Sequence, residues 1–265
     1  MYQTTYVRAS DLAQASQLMT ANPEAQLLAG GQTLVLTMRQ RLAQPSHVID
    51  IGGLAELKGV SVDGDTLVIG AGTRHADVAA NAEVRRRIPA LASLADGIGD
   101  PAVRHMGTIG GSIANSDPAA DYPAAVLGLG ATVHTTQRAI AADSFFTGLF
   151  ETALQRGEII TRVAFPIPRR CGYAKFPQPA SHFALVGVFV AELADGSVRV
   201  GVTGAGPHAF RATGIETALR GNFTAAAAEQ VAISPNGLNA DIHGSPEYRA
   251  HLVSVFAGRA VAAAL

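Results

Sequence analysis

Two glycine clusters hold the residues whose types and spacing point to chemistry. GTIGGSIANSDPAADYP, from Gly107 to Pro123, sets adjacent glycines between Thr108 and Ser112. Without a Cβ the backbone can lie against a ligand, and the two hydroxyls can donate to it. QLLAGGQTLVLTMRQRLA, from Gln26 to Ala43, places Gly30 and Gly31 between a short apolar strand and a helical pattern starting near Thr33. A strand, a glycine turn and a helix start together aim free amides at an anion. Either cluster alone fits a glycine-rich turn with a capped helix behind it; the pair suits a diphosphate. Asp121 precedes the helical run PAAVLGLGATV and can either cap that helix or accept hydrogen bonds from a ligand.

Other clusters carry less. GAGTRHADV, from Gly70 to Val78, gives a third glycine turn, but Arg74 and His75 stand where a dinucleotide fingerprint needs another glycine. The acidic pair in VDGDT lacks the further ligands of a calcium loop. The eight histidines show no metal-ligand spacing. Cys171 is the single cysteine, which excludes an internal disulfide and an all-cysteine iron–sulfur or zinc site within the chain. It reads as an inert thiol in a loop. Ser112 and Ser116 lie outside any nucleophile elbow.

The elements that must position these residues follow from composition and pattern. The 265 residues are 48% hydrophobic and only 15% charged, which suits a globular chain with partner-covered surface. Lys plus Arg number 20 against 21 Asp plus Glu, and the net charge of -1 argues against an electrostatic nucleic-acid binder. No stretch is apolar enough to span a bilayer and no signal peptide is visible, so the reading is soluble and cytoplasmic. Residues 1 to 53 alternate strand and helix: strands at 5–7, 27–29 and 47–51, a helix after Ser10 as N-cap, and a helix at 33–41. A second α/β unit over 54–166 starts with a hairpin turning at Asp63-Gly64. Helices follow at 75–80 and 84–95, then the central glycine loop, a helix through Val126, and strands near 131–135 and 158–165. The proline-rich run at 165–179 reads as a linker or an irregular crossing, and as the best domain boundary. Beyond it, within 167–265, a hairpin turns at Asp195-Gly196 between strands at 183–193 and 197–203. Helices are predicted at 212–219, 224–232 and 246–265.

AGGQT at 29–33 and GDPAVRHMGTIGGSIANSDPAADYPA, with DIHGSPEYR at 241–249, closely resemble the FAD-binding subunits of molybdenum hydroxylases, the carbon monoxide dehydrogenase and xanthine dehydrogenase family. The resemblance implies an α+β fold. Two α/β FAD-binding subdomains of the vanillyl-alcohol oxidase and p-cresol methylhydroxylase type (1–53 and 54–166) would carry a C-terminal α+β domain (167–265). By the same resemblance, Ala29, Gly30, Gly31, Gln32 and Thr33 hold the FAD diphosphate from one side, and Thr108, Ile109, Gly110, Gly111 and Ser112 from the other. Asp121 binds the adenosine or diphosphate region, Ile98 packs on the cofactor and Ile160 adds a backbone or apolar contact. Lys175, in YAKF, matches a pattern that meets the flavin in relatives, although Pro177 and Gln178 follow where many carry another basic residue. No catalytic side chain and no metal site is implied. The implied role is electron transfer through non-covalent FAD, with the molybdenum cofactor on a large molybdopterin subunit and the clusters on a small iron–sulfur subunit, assembled as a dimer of heterotrimers. The alternatives are an autonomous flavin oxidase, in which Gln32 stands where such enzymes often tether the flavin through histidine, and a non-catalytic nucleotide-binding protein.

Overall fold

In the computed structural model, which describes residues 1–264, three sheets follow one another along the chain. The first is built from β1 (Thr5–Arg8), α1 (Leu12–Ala21), β2 (Gln26–Leu28), α2 (Leu34–Arg39) and β3 (His47–Asp50), with β3 central and both pairings parallel. Parallel neighbours require crossovers, and α1 and α2 supply them. The cap of α1 is Asp11 rather than Ser10: Asp11 Oδ1 accepts the Gln14 amide at 2.8 Å, while the Gln14 side chain takes the Ser10 amide at 2.7 Å. A reciprocal arrangement of this kind moves the helix start by one residue.

The second unit opens on the hairpin β4 (Val60–Asp63) and β5 (Thr66–Gly70). Helices α3 (His75–Ala80), α4 (Ala82–Arg87), α5 (Pro89–Asp96), α6 (Pro101–Met106), α7 (Ile109–Asn115) and α8 (Tyr122–Gly128) follow. The helix predicted over 84–95 is two helices, because Pro89 lacks an amide and starts a new one. β6 (Thr132–Thr135) and β7 (Ala139–Ala141) come next, then a separate two-stranded ribbon, β8 (Phe146–Gly148) with β9 (Glu151–Thr152), and finally β10 (Ile160–Pro166). β4, β5, β10, β6 and β7 form an antiparallel sheet in that order. Leu67, Ile69, Val133, Val163 and Phe165 alternate onto its inner face and meet Leu91, Leu94, Ile109, Ile113 and Val126 from the helices.

The proline-rich run is not a linker: residues 170–177 form β11 (Arg170–Pro177), the edge of the third sheet. Its prolines sit at strand ends or outside them: Pro166 ends β10, Pro168 lies between the strands, Pro177 ends β11 and Pro179 follows it. β12 (Ala184–Glu192), β13 (Val198–Thr203) and β14 (Phe210–Arg211) complete that sheet. α9 (Thr213–Leu219), α10 (Ala225–Glu229) and α11 (Pro246–Ala262) follow. The apolar run of β12 is covered on both faces, by α8 of the second unit and by α11. DIHGSPEYR has a packing role here. Arg249 is buried, pairs with Asp241 at 2.7 Å and donates to the carbonyls of Leu185 and Gly204 at 2.9 Å, pinning the start of α11 to the sheet. Cys171 lies within β11, not in a loop, and burial pushes its thiol up to about 11, so it stays protonated and inert.

Candidate functional site: a cleft between two glycine turns

A cleft of about 2260 Å³ runs between the first two units and reaches the third. Its walls include Ala29, Gly30, Gly31, Gln32 and Thr33 from the turn between β2 and α2, and Thr108, Gly110, Gly111 and Ser112 from the second cluster. Ile98, Asp121 and Ile160 line it as well, and so does the loop 181–183 of the third unit.

The first turn presents its backbone to this space. Gly31 sits at φ +73, a conformation glycine adopts without a Cβ penalty, and its carbonyl accepts the Val35 amide at 3.1 Å to start α2. The amides of Gly30, Gly31, Gln32, Thr33 and Leu34 donate to no protein acceptor among the described residues, and the Thr33 hydroxyl makes no cap bond. Such a run of open donors is suited to an anion.

The second cluster is built differently. Its glycines are in a helix, not in a loop: Thr108 caps α7, its Oγ1 accepting the Gly111 amide at 3.2 Å. The Ile109 amide donates to the Thr73 carbonyl at 3.1 Å, the Gly110 amide to Ala71 at 2.8 Å and the Ser112 amide to Thr108 at 3.0 Å. From Ile109 to Ser112 the expected free amides are therefore taken inside the protein, and only the Thr108 amide has no protein acceptor among the described residues. Ile109 is fully buried in the core and does not face the cleft. What this cluster offers a ligand is the Thr108 amide, the Thr108 and Ser112 side chains and the bare Cα of Gly111. The two turns touch: a Cβ on Gly30 would strike the Met106 carbonyl and lie 2.7 Å from Gly107 Cα. Behind Gly107 stands His75, 5% exposed, with Nδ1 unpartnered and its ring 5.4 Å from the equally unpartnered Tyr122 phenol. Burial and then Arg104 push the His75 imidazole down to about 4, so it is neutral at physiological pH.

Asp121 does not cap α8; its side chain makes no cap bond. The carboxylate is 3% exposed, and its Oδ1 accepts the Tyr173 hydroxyl at 2.6 Å and Lys175 Nζ at 2.8 Å. Burial pushes its carboxyl up from the ordinary range, and Lys175 and then Tyr173 oppose that rise. Lys175 itself does not line the cleft, because its remaining donors go to the carbonyls of Gly97 and His182, both at 2.8 Å. Tyr173 is the residue that sequence reasoning missed. A strand period would have put it on the same face as Lys175, but the surrounding prolines concealed the strand. His75, His182 and Phe183 on the cleft wall carried no sequence signal. Among the described residues no group of His, Cys, Asp and Glu is arranged to hold a metal ion.

Fold and cleft together define a nucleotide-binding α+β protein whose open donors are backbone amides. Residues 2–168 match the model of the FAD-binding domain in molybdopterin dehydrogenase, and residues 172–264 match the C-terminal domain of the CO dehydrogenase flavoprotein. The chain is 33% identical over 269 residues to the nicotine 6-hydroxylase medium subunit of Paenarthrobacter nicotinovorans, covering 97% of this chain and 95% of that one. It is 34% identical to the carbon monoxide dehydrogenase medium chain of Hydrogenophaga pseudoflava, over 91% of this chain and 89% of the relative. The structure of carbon monoxide dehydrogenase from Hydrogenophaga pseudoflava superposes with a TM-score of 0.91 at 34% identity, covering 99% of this chain and 97% of that chain. Quinoline 2-oxidoreductase from Pseudomonas putida 86 gives 0.87 at 27% identity, over 98% and 96%. The chain belongs to the family of FAD-binding components of molybdopterin dehydrogenases, whose FAD-binding domain it carries followed by their flavoprotein C-terminal domain.

Proposed function

We propose that this chain is the flavoprotein component of a multi-subunit molybdenum hydroxylase, passing electrons from iron–sulfur clusters on a partner through FAD to an external acceptor. The observation that carries this reading is the run of amides from Gly30 to Leu34 that have no partner among the described residues, on a cleft of suitable size. Ala29 to Thr33 would hold the diphosphate, with Thr108 and Ser112 donating from the facing wall and Gly111 leaving room. Asp121 would bind the adenosine or diphosphate region, its carboxylate accepting from a sugar hydroxyl there, and Ile98 and Ile160 would supply apolar contact. Charge-assisted hydrogen bonds are worth about 1.5–3 kcal/mol each, so several suffice for tight non-covalent binding. Bound FAD supplies a two-electron centre that can also exchange single electrons. The residues of this chain fix its place and its access to water.

One buried cysteine cannot build a cluster. The molybdenum cofactor and the iron–sulfur clusters would therefore reside on separate large and small subunits, in keeping with relatives named as medium chains. A dimer of such heterotrimers in the cytoplasm is the assembly proposed. Acid precipitation of the purified chain should release all its flavin as FAD, and yellow colour left in the pellet contradicts the non-covalent reading. Tagged chain from its native host should bring down two partners with iron and molybdenum. Substrate should then bleach the flavin only in that complex; bleaching of the isolated chain overturns the subunit reading.

A further inference from the structure

We propose that Tyr173 and Lys175 are positioning residues that act on bound FAD through Asp121: together they fix one carboxylate oxygen so that the other faces the cleft, and Lys175 latches the third unit onto the cleft wall. The proposal rests on the flavin reading above. It begins with strand geometry. Residues 173 and 175 lie two apart on β11 and so project from one face, where both donate to the same atom, Asp121 Oδ1, at 2.6 and 2.8 Å. Turning the carboxylate would break both bonds at once. Oδ2 takes no protein donor among the described residues, yet Asp121 lines the cleft, so this oxygen is the one left for a ligand.

Lys175 has three protons and three acceptors. Besides Asp121 it donates to the Gly97 carbonyl, at the end of α5 just before Ile98, and to the His182 carbonyl, just before Phe183. His182 is held at φ +60, uncommon for a residue with a side chain, and its Nδ1 donates to the Gly99 carbonyl at 3.0 Å. The segment 178–182 closes on itself through the His182 amide and the Gln178 carbonyl at 2.8 Å. One ammonium thus joins three stretches of cleft wall, with no proton left for a cofactor. Its charge also opposes the rise that burial imposes on the Asp121 carboxyl. The titratable groups facing Asp121 are Tyr173 and Lys175 from β11 and Tyr122 from its own helix, and of these only Lys175 is cationic.

The test is FAD affinity of the full-length chain, read by flavin fluorescence quenching between pH 6 and 9, in a double-mutant cycle with Asp121→Asn. The wild type should be flat with pH. Lys175→Met removes the larger force opposing burial and leaves only hydrogen bonds such as that from Tyr173, so Asp121 takes up a proton as pH falls, and affinity should drop about tenfold from pH 9 to 6. Asp121→Asn should bind weakly at every pH. In that background, adding Lys175→Met or Tyr173→Phe should change affinity less than about twofold, although Tyr173→Phe alone weakens it about threefold. Should Lys175→Met not fold, the Tyr173→Phe cycle decides alone, since it removes one oxygen only. Additive losses, or a Lys175→Met profile parallel to wild type, overturn the clamp while leaving FAD binding intact. A wild-type chain that takes up no FAD at any pH sinks the flavin reading, and the clamp with it.

Discussion

The two glycine turns facing the cleft look alike in sequence and do opposite things. From Gly30 to Leu34 the amides have no protein partner among the described residues, and Gly31 occupies a left-handed conformation. From Ile109 to Ser112 every amide is bonded within the protein, and Gly110 is glycine because its backbone lies on Ala71. One pair of glycines leaves main-chain donors open toward the cleft; the other lets helix α7 press against the strand end at Ala71. A glycine pair in a sequence therefore reports a close approach of backbone without saying whether the approaching body is a ligand or the protein itself.

The largest expected effect separates these roles. A Cβ at Gly110 would lie 2.6 Å from Ala71 Cβ and 2.7 Å from Ala71 O, and backbone cannot step aside as a flexible side chain can. Gly110→Val should lower the stability of the FAD-free chain by about 3 kcal/mol or more, read from its urea midpoint. A variant with an unchanged midpoint that no longer binds FAD would make this turn a phosphate cradle and erase the contrast. Next in size is the buttress behind the second turn. The folded His75 pKa of about 4 lies below the ordinary 6.5, so the unfolded chain binds the extra proton first. Its contribution to stability is complete above pH 6.5 and is lost as pH falls toward 4, about 3 kcal/mol in all. His75→Gln should flatten that part of the pH–stability curve; equal slopes in both proteins would show that the imidazole is not the group titrating. In the first turn the expected loss is smaller. Gly31→Ala asks a side chain to hold φ +73 with Val35 Cγ2 at 3.0 Å, a strain of about 1–2 kcal/mol. That strain falls on the amide-presenting conformer, so FAD affinity should drop about tenfold while the free chain, able to relax its turn, melts nearly as before. Equal losses in both would make Gly31 structural, like Gly110.

These differences also mark what was legible in the sequence. The first turn was readable because strand, glycines and helix follow one another locally, and local order decides where its amides point. The second was not, because the acceptors for its amides, Ala71 and Thr73, lie some forty residues away and are brought there by a separate glycine turn. β11 was hidden by its flanking prolines, which read as a linker although only Pro177 falls inside the strand, at its end. With the strand went the alternation that puts Tyr173 and Lys175 on Asp121. The hairpins at Asp63-Gly64 and Asp195-Gly196 were plain, since turn chemistry fixes them within four residues.

The smallest expected effect on stability comes from the residue next to Gly110, and it has the opposite sign. A Cβ at Gly111 would meet only Thr108 Oγ1, at 3.0 Å, and would otherwise project into the cleft. Alanine in a helix is favoured over glycine by about 1 kcal/mol, and a slight shift of the Thr108 cap takes back part of that. Gly111→Ala should therefore leave the FAD-free chain as stable as wild type or up to about 0.5 kcal/mol more so. If the cofactor rests against this bare Cα, the same methyl group should weaken FAD binding about tenfold, because a ligand pushed off the α7 surface lengthens its bonds to Ser112 and to the first turn together. Stability and affinity would then move in opposite directions at Gly111 and stability alone would fall at Gly110, one residue away. Isothermal titration of both variants with FAD, beside their urea midpoints, reads the two quantities separately. Unchanged affinity in Gly111→Ala would place the cofactor on the first turn alone, leaving α7 as the scaffold on which that turn leans through Gly30 and Gly107.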